Sequence, residues 1–319
     1  MRTVPIKRLT GAALALAVAL AACGDDEPAA STDRPTVVVT TNILGDVVTH
    51  LVGDLATVEV VMPPNADPHD FAPSARQAEA MRTADLLVVN GGGFEAGLAD
   101  TIDAAEADGA TVIRATDAVE LRPFGDHAAA EDPDEHAGEE DGEGDPHVFT
   151  SPAAMVDIAS AVADRLVEEV PALDTAAFRT QVDGYLAELE ALDAEVEALL
   201  ADIPTERRLL VTNHDVFGYF ADRYDFEVLG AVVPGGSTLA EPSSRELSDL
   251  ATLIDEAGVP AIFADTSSPS RLADALAGEG TDVEVVELFS ESLGEPGSGG
   301  DTYVDMVRTN AERIAAALG

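Results

Sequence analysis

The sequence predicts an α/β protein of two lobes, each built on a mostly parallel sheet, joined by one long helix. Three observations predict this. Short apolar, β-branched runs alternate with amphipathic stretches, the pattern of parallel sheets covered by helices. The alternation occurs twice, over residues 36–115 and again over residues 208–318. Between the two, residues 175–201 keep a helical period without a break.

The elements follow in order. Thr36–Thr41, Thr57–Met62, Leu86–Asn90 and Thr111–Ala115 read as strands, with helical patterns over Ile43–Val52, Ser74–Thr83 and Glu95–Ala107 between them. Pro152–Glu169 reads as a helix. Thr175–Ala201 follows, with Phe178, Val182, Leu186, Leu189, Leu192, Val196 and Leu199 on one buried face. At 1.5 Å per residue it would extend about 40 Å, enough to act as a strut along both lobes. Arg208–Asn213, Glu227–Val233, Ala261–Ala264 and Val283–Leu288 then read as strands, and Ser243–Glu256, Pro269–Ala277 and Thr302–Leu318 as helices. The fold class is therefore two Rossmann-like lobes on a backbone helix. The first lobe is expected over residues 36–150, a helical region over 151–203, and the second lobe over 204–319.

The first 23 residues read as an export signal. Arg2, Lys7 and Arg8 precede the apolar run of residues 11–22 (GAALALAVALAA), which is too short for a permanent membrane span. Leu20-Ala21-Ala22-Cys23 resembles a bacterial lipobox, and Cys23 is the only cysteine in the chain. Lipid on Cys23 would hold the protein outside the cell membrane. Residues 24–35 (GDDEPAASTDRP) have the composition of a polar tether.

Composition excludes several functions. The formal net charge is −44 and the sole lysine is Lys7. Such a surface repels phosphate backbones, so no nucleic-acid partner is expected. It concentrates cations, but a solvated acidic surface shaped by a salty habitat or by coding bias is the expected main cause of the charge, so charge alone does not identify a metal binder. One cysteine allows neither a disulfide framework nor a thiolate metal cluster.

The chain has six histidines: His50, His69, His127, His136, His147 and His214. His69 (in Asp67-Pro68-His69) lies in a turn after the second strand, and His214 follows the strand Arg208–Asn213. Ligands in parallel α/β sheets gather beyond the carboxyl ends of strands. His147 sits in Asp145-Pro146-His147, and proline beside two of these histidines restricts the backbone. Three imidazoles with a carboxylate or water complete a tetrahedron around Zn²⁺. His50 falls within a helical pattern and reads as a surface or structural residue. His127 and His136 lie in Gly125–Asp145, an acidic segment with no apolar period that reads as a mobile loop with a possible auxiliary role in metal capture.

Four separated segments carry a closer resemblance. They are Asn65-Ala66-Asp67-Pro68-His69-Asp70-Phe71, Asp145-Pro146-His147-Val148-Phe149, His214-Asp215-Val216-Phe217-Gly218-Tyr219-Phe220, and Leu288-Phe289-Ser290-Glu291-Ser292-Leu293-Gly294 followed by Gly300-Asp301-Thr302-Tyr303. In content and order they resemble the cluster A-I family of ABC-transporter solute-binding proteins, which capture zinc or manganese. The resemblance implies a metal site with His69 and His147 from the first lobe, and His214 and an acidic fourth ligand from the second. That acidic position is commonly Asp in the family and is Glu291 here; Asp265 is the runner-up. The family's aromatic Trp or Tyr two residues after the second histidine is Phe149. Three histidines favour Zn²⁺ over Mn²⁺, both within the family and by donor chemistry. The resemblance also implies a permease and its ATPase as partners, and a monomer is expected. Other classes on the same scaffold are a surface adhesin or a periplasmic metal chaperone. A zinc hydrolase is disfavoured, because the chain has no HExxH.

Overall fold

A computed structural model describes residues 34–124, 144–278 and 283–319. Cys23, His127 and His136 lie outside the described residues. The first sheet contains β1 (Thr36–Val39), β2 (Thr57–Val60), β3 (Leu86–Val89) and β4 (Val112–Arg114) in the order β2-β1-β3-β4. The second contains β5 (Leu209–Thr212), β6 (Glu227–Ala231), β7 (Ala261–Asp265) and β8 (Glu284–Leu288) in the order β6-β5-β7-β8. All pairs in both sheets are parallel. The two sheets repeat one topology, and each reverses its winding between its first and third strands. That reversal opens a crevice at the carboxyl ends.

Helices α1 (Asn42–Val52), α2 (Ala75–Thr83) and α3 (Ala99–Ala107) accompany the first sheet. Helices α4 (Pro152–Glu169) and α5 (Ala176–Leu200) form the middle region. Helices α6 (Gly218–Tyr224), α7 (Ser244–Ala257), α8 (Arg271–Gly278) and α9 (Tyr303–Leu318) belong with the second sheet. Starts are set by local chemistry. Ser74 with Gln77 and Ser243 with Glu246 form capping boxes, and Ser151 caps α4 with Pro152 in its first turn. Gly258 ends α7 in the left-handed region that glycine tolerates.

Alternation along the strands divides the core. Val37, Val39, Leu86 and Val88 face a central core, whereas Val38, Leu87 and Val89 face an outer cluster with Met81, Leu98 and Ile102. In the second sheet, Leu210, Ala261 and Phe263 face the same central core, and Val211, Ile262 and Ala264 face an outer cluster with Leu250 and Ile254. The central core is thus continuous through both lobes. Helix α5 supplies its spine through Phe178, Tyr185, Leu189, Leu192, Val196 and Leu200, packing on α4, on α1 of the first lobe and on α9 of the second. Its 25 residues span about 38 Å.

The strand patterns overrun the observed strands by one or two residues at several carboxyl ends. Thr40, Thr41, Asn90 and Asn213 are buried just past the assigned strand ends, and Thr40, Asn90 and Asn213 still hydrogen-bond to the neighbouring strand's chain. The helical pattern from Glu95 begins instead as a 3₁₀ turn at Ala96–Leu98 before α3. Helix α6 carries no sequence expectation, since seven residues are too few to show a period.

Candidate metal centre

Four side chains from four separate loops converge between the lobes. His69 follows β2, His147 follows β4 by way of residues 115–146, His214 follows β5, and Glu291 follows β8. One ligand-capable atom from each lies within 4.8 Å of those from all the others, and all four residues are buried. Asp265 is outside this group. It ends β7, and its carboxylate is engaged by the Ser267 backbone N–H at 2.9 Å and the Ser267 hydroxyl at 2.6 Å. His50 is also elsewhere, on α1, stacked on Tyr185 with ring centroids 4.9 Å apart.

The centre is organised around a single oxygen. Glu291 Oε1 is 2.8 Å from His69 Nε2, 3.0 Å from His214 Nε2 and 3.3 Å from His147 Nε2. The last separation lacks hydrogen-bond geometry, so among the described residues His147 Nε2, His214 Nδ1 and Glu291 Oε2 are buried without a hydrogen-bond partner. Buried polar atoms are rarely left in this state. An ion with bonds of about 2.0–2.1 Å holds tetrahedral ligand atoms roughly 3.3 Å apart. The three oxygen-to-nitrogen separations are 2.8–3.3 Å, at or below that edge length, and all four donors lie within 4.8 Å of one another, so a donor set of this size suits a small divalent ion.

The electrostatics follow from burial and opposed charge. Burial alone would lift the Glu291 carboxyl, but the His214 charge and hydrogen bonds from the imidazoles hold it well below the usual carboxylate range. Burial would lower the His147 imidazolium, but the hydrogen bond to Asp145 and the nearby Glu291 carboxylate outweigh it and push it up to about 9. Asp265 is raised to about 6 by burial and by the neighbouring Glu291 charge. Phe94 lines the histidine side, with its ring 5.5 Å from those of both His69 and His147. Phe149 packs 6.0 Å from His147.

The backbone devices that aim the histidines are visible in the two Asp-Pro-His triplets. Asp67 Oδ1 accepts the His69 backbone N–H at 2.9 Å, and Asp145 Oδ1 accepts the His147 backbone N–H at 2.9 Å. Each aspartate closes a short side-chain turn across the intervening proline. Asp145 Oδ1 also accepts His147 Nδ1–H at 2.8 Å, which directs Nε2 inward. The prolines are therefore half of the device, and the aspartates two residues before each histidine are the other half. The repeated triplet was the signal for this. His214 is set differently, its carbonyl accepting the Thr212 hydroxyl at 2.7 Å.

More distant residues hold the loops themselves. The Asn90 side chain donates to the Pro146 carbonyl at 3.0 Å. Buried Glu95 accepts from the Thr40 hydroxyl and from the backbone N–H groups of Asn90 and Gly91. None of these was evident from the sequence, because each acts through its fold neighbours.

This fold and this cluster define a two-lobe binding protein of the metal-capturing class. The profile of the periplasmic zinc-uptake complex component A family, ZnuA, matches residues 37–317. The chain belongs to that family, the substrate-binding proteins of metal ABC transporters. It is 32% identical over 295 residues to the zinc-binding protein TroA of Treponema pallidum, covering 91% of each chain. It is 26% identical over 309 residues to the manganese-binding lipoprotein MntA of Halalkalibacterium halodurans, covering 96% of each. The solved structure of the periplasmic zinc-binding protein TroA superposes with a TM-score of 0.78 at 31% identity, over 90% of this chain and 99% of that one. A ZnuA crystal structure superposes with a TM-score of 0.74 at 25% identity, over 90% and 100%.

Proposed function

We propose that this chain captures Zn²⁺ outside the cell membrane and delivers it to an ABC permease driven by its ATPase. The ion would be held by Nε2 of His69, His147 and His214 and by the Glu291 carboxylate. The observation that carries this reading is the convergence of three Nε2 atoms on one buried Glu291 oxygen. Three nitrogens and one carboxylate suit Zn²⁺ better than Mn²⁺, which prefers oxygen. The two named relatives differ on this point, one being called zinc-binding and the other manganese-binding.

Binding exchanges protons for metal. Imidazole must give up its Nε2 proton to ligate, so the hydrogen bonds to Glu291 would be replaced by bonds to the ion. The buried, aromatic-lined surroundings would strengthen the attraction between Zn²⁺ and the carboxylate. Cys23, carrying lipid, would anchor the chain, in keeping with the name lipoprotein given to several relatives. Among the described residues no helix is long and apolar enough to cross a membrane.

The test is a competition titration of metal-free protein with Zn²⁺ and Mn²⁺ against a chromophoric chelator. Zn²⁺ should bind one ion per chain and more tightly than Mn²⁺. His214→Ala should abolish tight binding; an unchanged Zn²⁺ affinity in that variant refutes the site. Tighter binding of Mn²⁺ would reassign the cargo.

A further inference from the structure

The third sequence motif continues past His214 through Gly218 and Tyr219, neither of which approaches the ion as a ligand. Both instead meet the loop that carries His147. The Tyr219 hydroxyl donates to the Asp145 carbonyl at 2.8 Å and accepts the Arg122 backbone N–H at 3.1 Å. A Cβ at Gly218 would overlap the Arg122 guanidinium, so only glycine lets that group pass. The guanidinium reaches in two directions. Its Nη1 is 3.6 Å from Asp145 Oδ2, and its Nε is 2.9 Å from Asp222 Oδ2 on α6. Asp145 is fully buried, and its Oδ2 takes no hydrogen bond among the described residues. Its other oxygen receives both His147 Nδ1–H and the His147 backbone N–H.

We propose that Arg122, seated on Gly218, Tyr219 and Asp222 of the second lobe, is a positioning residue that acts through Asp145 to orient His147 for the ion. The physical case has two parts. A buried carboxylate that accepts two hydrogen bonds on one oxygen needs a cation near the other, and Arg122 supplies it. An imidazole whose outer nitrogen is tied to a fixed carboxylate presents its inner nitrogen in one tautomer and one orientation. Tyr219 holds the Asp145 backbone carbonyl from the opposite lobe, and Arg122, resting on Gly218 and Asp222 of that lobe, faces the carboxylate itself. His147 would thus belong to the first lobe by sequence and to both lobes by its support.

The inference rests on the proposed Zn²⁺ site, so the experiment has one arm that needs metal and one that does not. In the metal arm, Zn²⁺ affinity is measured by chelator competition, and Co²⁺ is used as a spectroscopic probe. Arg122→Met should weaken Zn²⁺ binding about 10- to 100-fold and alter the visible Co²⁺ band, with Arg122→Lys recovering part of both. In the metal-free arm, nitrogen-15 NMR follows His147 Nδ1–H, which should lose its strongly hydrogen-bonded shift in Arg122→Met. Wild-type affinity together with an unmoved His147 signal in Arg122→Met overturns the inference. If Arg122→Met does not fold, Tyr219→Phe decides, since it removes the contact to the Asp145 carbonyl without removing charge. An unmoved His147 signal there overturns the inference equally. Should wild-type protein bind neither Zn²⁺ nor Co²⁺, the proposed function fails, while the metal-free arm still decides the role of Arg122.

Discussion

Asn42 Oδ1 accepts the Leu293 backbone N–H at 2.8 Å, joining residues 251 positions apart across the two lobes. The other end of the same amide donates to the Pro63 carbonyl at 2.9 Å and to the Ser292 hydroxyl at 2.7 Å. The Asn65 backbone N–H, in turn, donates to the Leu293 carbonyl at 2.9 Å. One asparagine at the start of α1 therefore ties the loop that leads to His69 to the loop that carries Glu291. Asn42→Ala would leave the buried Leu293 N–H without its partner, at a cost of about 1–3 kcal/mol. Chemical denaturation of the metal-free protein should show that loss, and the variant should also bind Zn²⁺ more weakly. Unchanged stability would mean that the two loops hold their places by packing alone.

The two buried carboxylates at the candidate metal centre are predicted to respond differently. Glu291→Ala should lower Zn²⁺ affinity by at least 100-fold, because it removes the oxygen on which the three imidazoles converge. Asp265→Asn should have a smaller effect, since the Asp265 carboxylate is already engaged by Ser267. Isothermal titration of both variants checks the order. A silent Glu291→Ala with a damaging Asp265→Asn would move the fourth ligand to Asp265.

Asp46 supplies a pH test away from the ion. Its carboxylate accepts the Tyr303 backbone N–H at 2.9 Å, where α9 begins. Burial raises it above its ordinary value, with Asp305 and Glu188 adding to the rise, and the Tyr303 N–H and His50 opposing it. A carboxyl raised in the fold is stabilising while protonated. Its contribution is therefore full below the unfolded value and lost as pH rises through the folded one. Asp46→Asn keeps an acceptor for Tyr303 and removes the buried charge. The variant should melt roughly 1–3 °C above wild type at pH 7, and the gap should close as pH falls toward 4. A gap that widens on acidification would reverse the sign argued here.

Gly97 tests how tightly the His69 loop is seated. A Cβ there would overlap the Phe71 carbonyl, two residues past His69. Backbone cannot yield as a flexible side chain can, so Gly97→Ala should destabilise the protein by about 1–3 kcal/mol and weaken Zn²⁺ binding together. Thermal melts with and without Zn²⁺ separate the two effects. Loss of stability without loss of affinity would show that the loop moves as one piece with its histidine.

The fold was legible because its signals are local. β-Branched runs and helical periods need no knowledge of distant partners, and both sheets and the strut follow from them. The four residues that converge as candidate ligands were legible for a different reason: each sits in a short motif with turn chemistry at a strand end. What escaped were residues defined by distance. Arg122 meets Tyr219 and Asp222 about a hundred residues later, and Asn42 meets Leu293 two and a half times further on, so no window of sequence pairs them. The strand ends were overrun because Thr40, Thr41 and Asn90 keep the burial of strand residues, and Thr40 and Asn90 keep interstrand hydrogen bonds, just past the assigned ends. Helix α6 was missed through brevity, although its Gly218 and Tyr219 lay in plain view within a motif read only for its histidine.

The backbone N–H of Asp145 donates to the Arg122 carbonyl at 2.7 Å, so the chain enters and leaves the acidic stretch between them at a closed base. The aim of His147 is fixed by Asp145, on the near side of that base. Changes of length within residues 125–143 should therefore leave the aim of His147 intact, whereas Phe124, whose ring lies 6.4 Å from that of His147, and Gly144, pressed against the Arg122 carbonyl, belong to the closure itself. The same closure marks the position at which a reporter or a foreign peptide could be spliced into this protein with the least disturbance to its cargo.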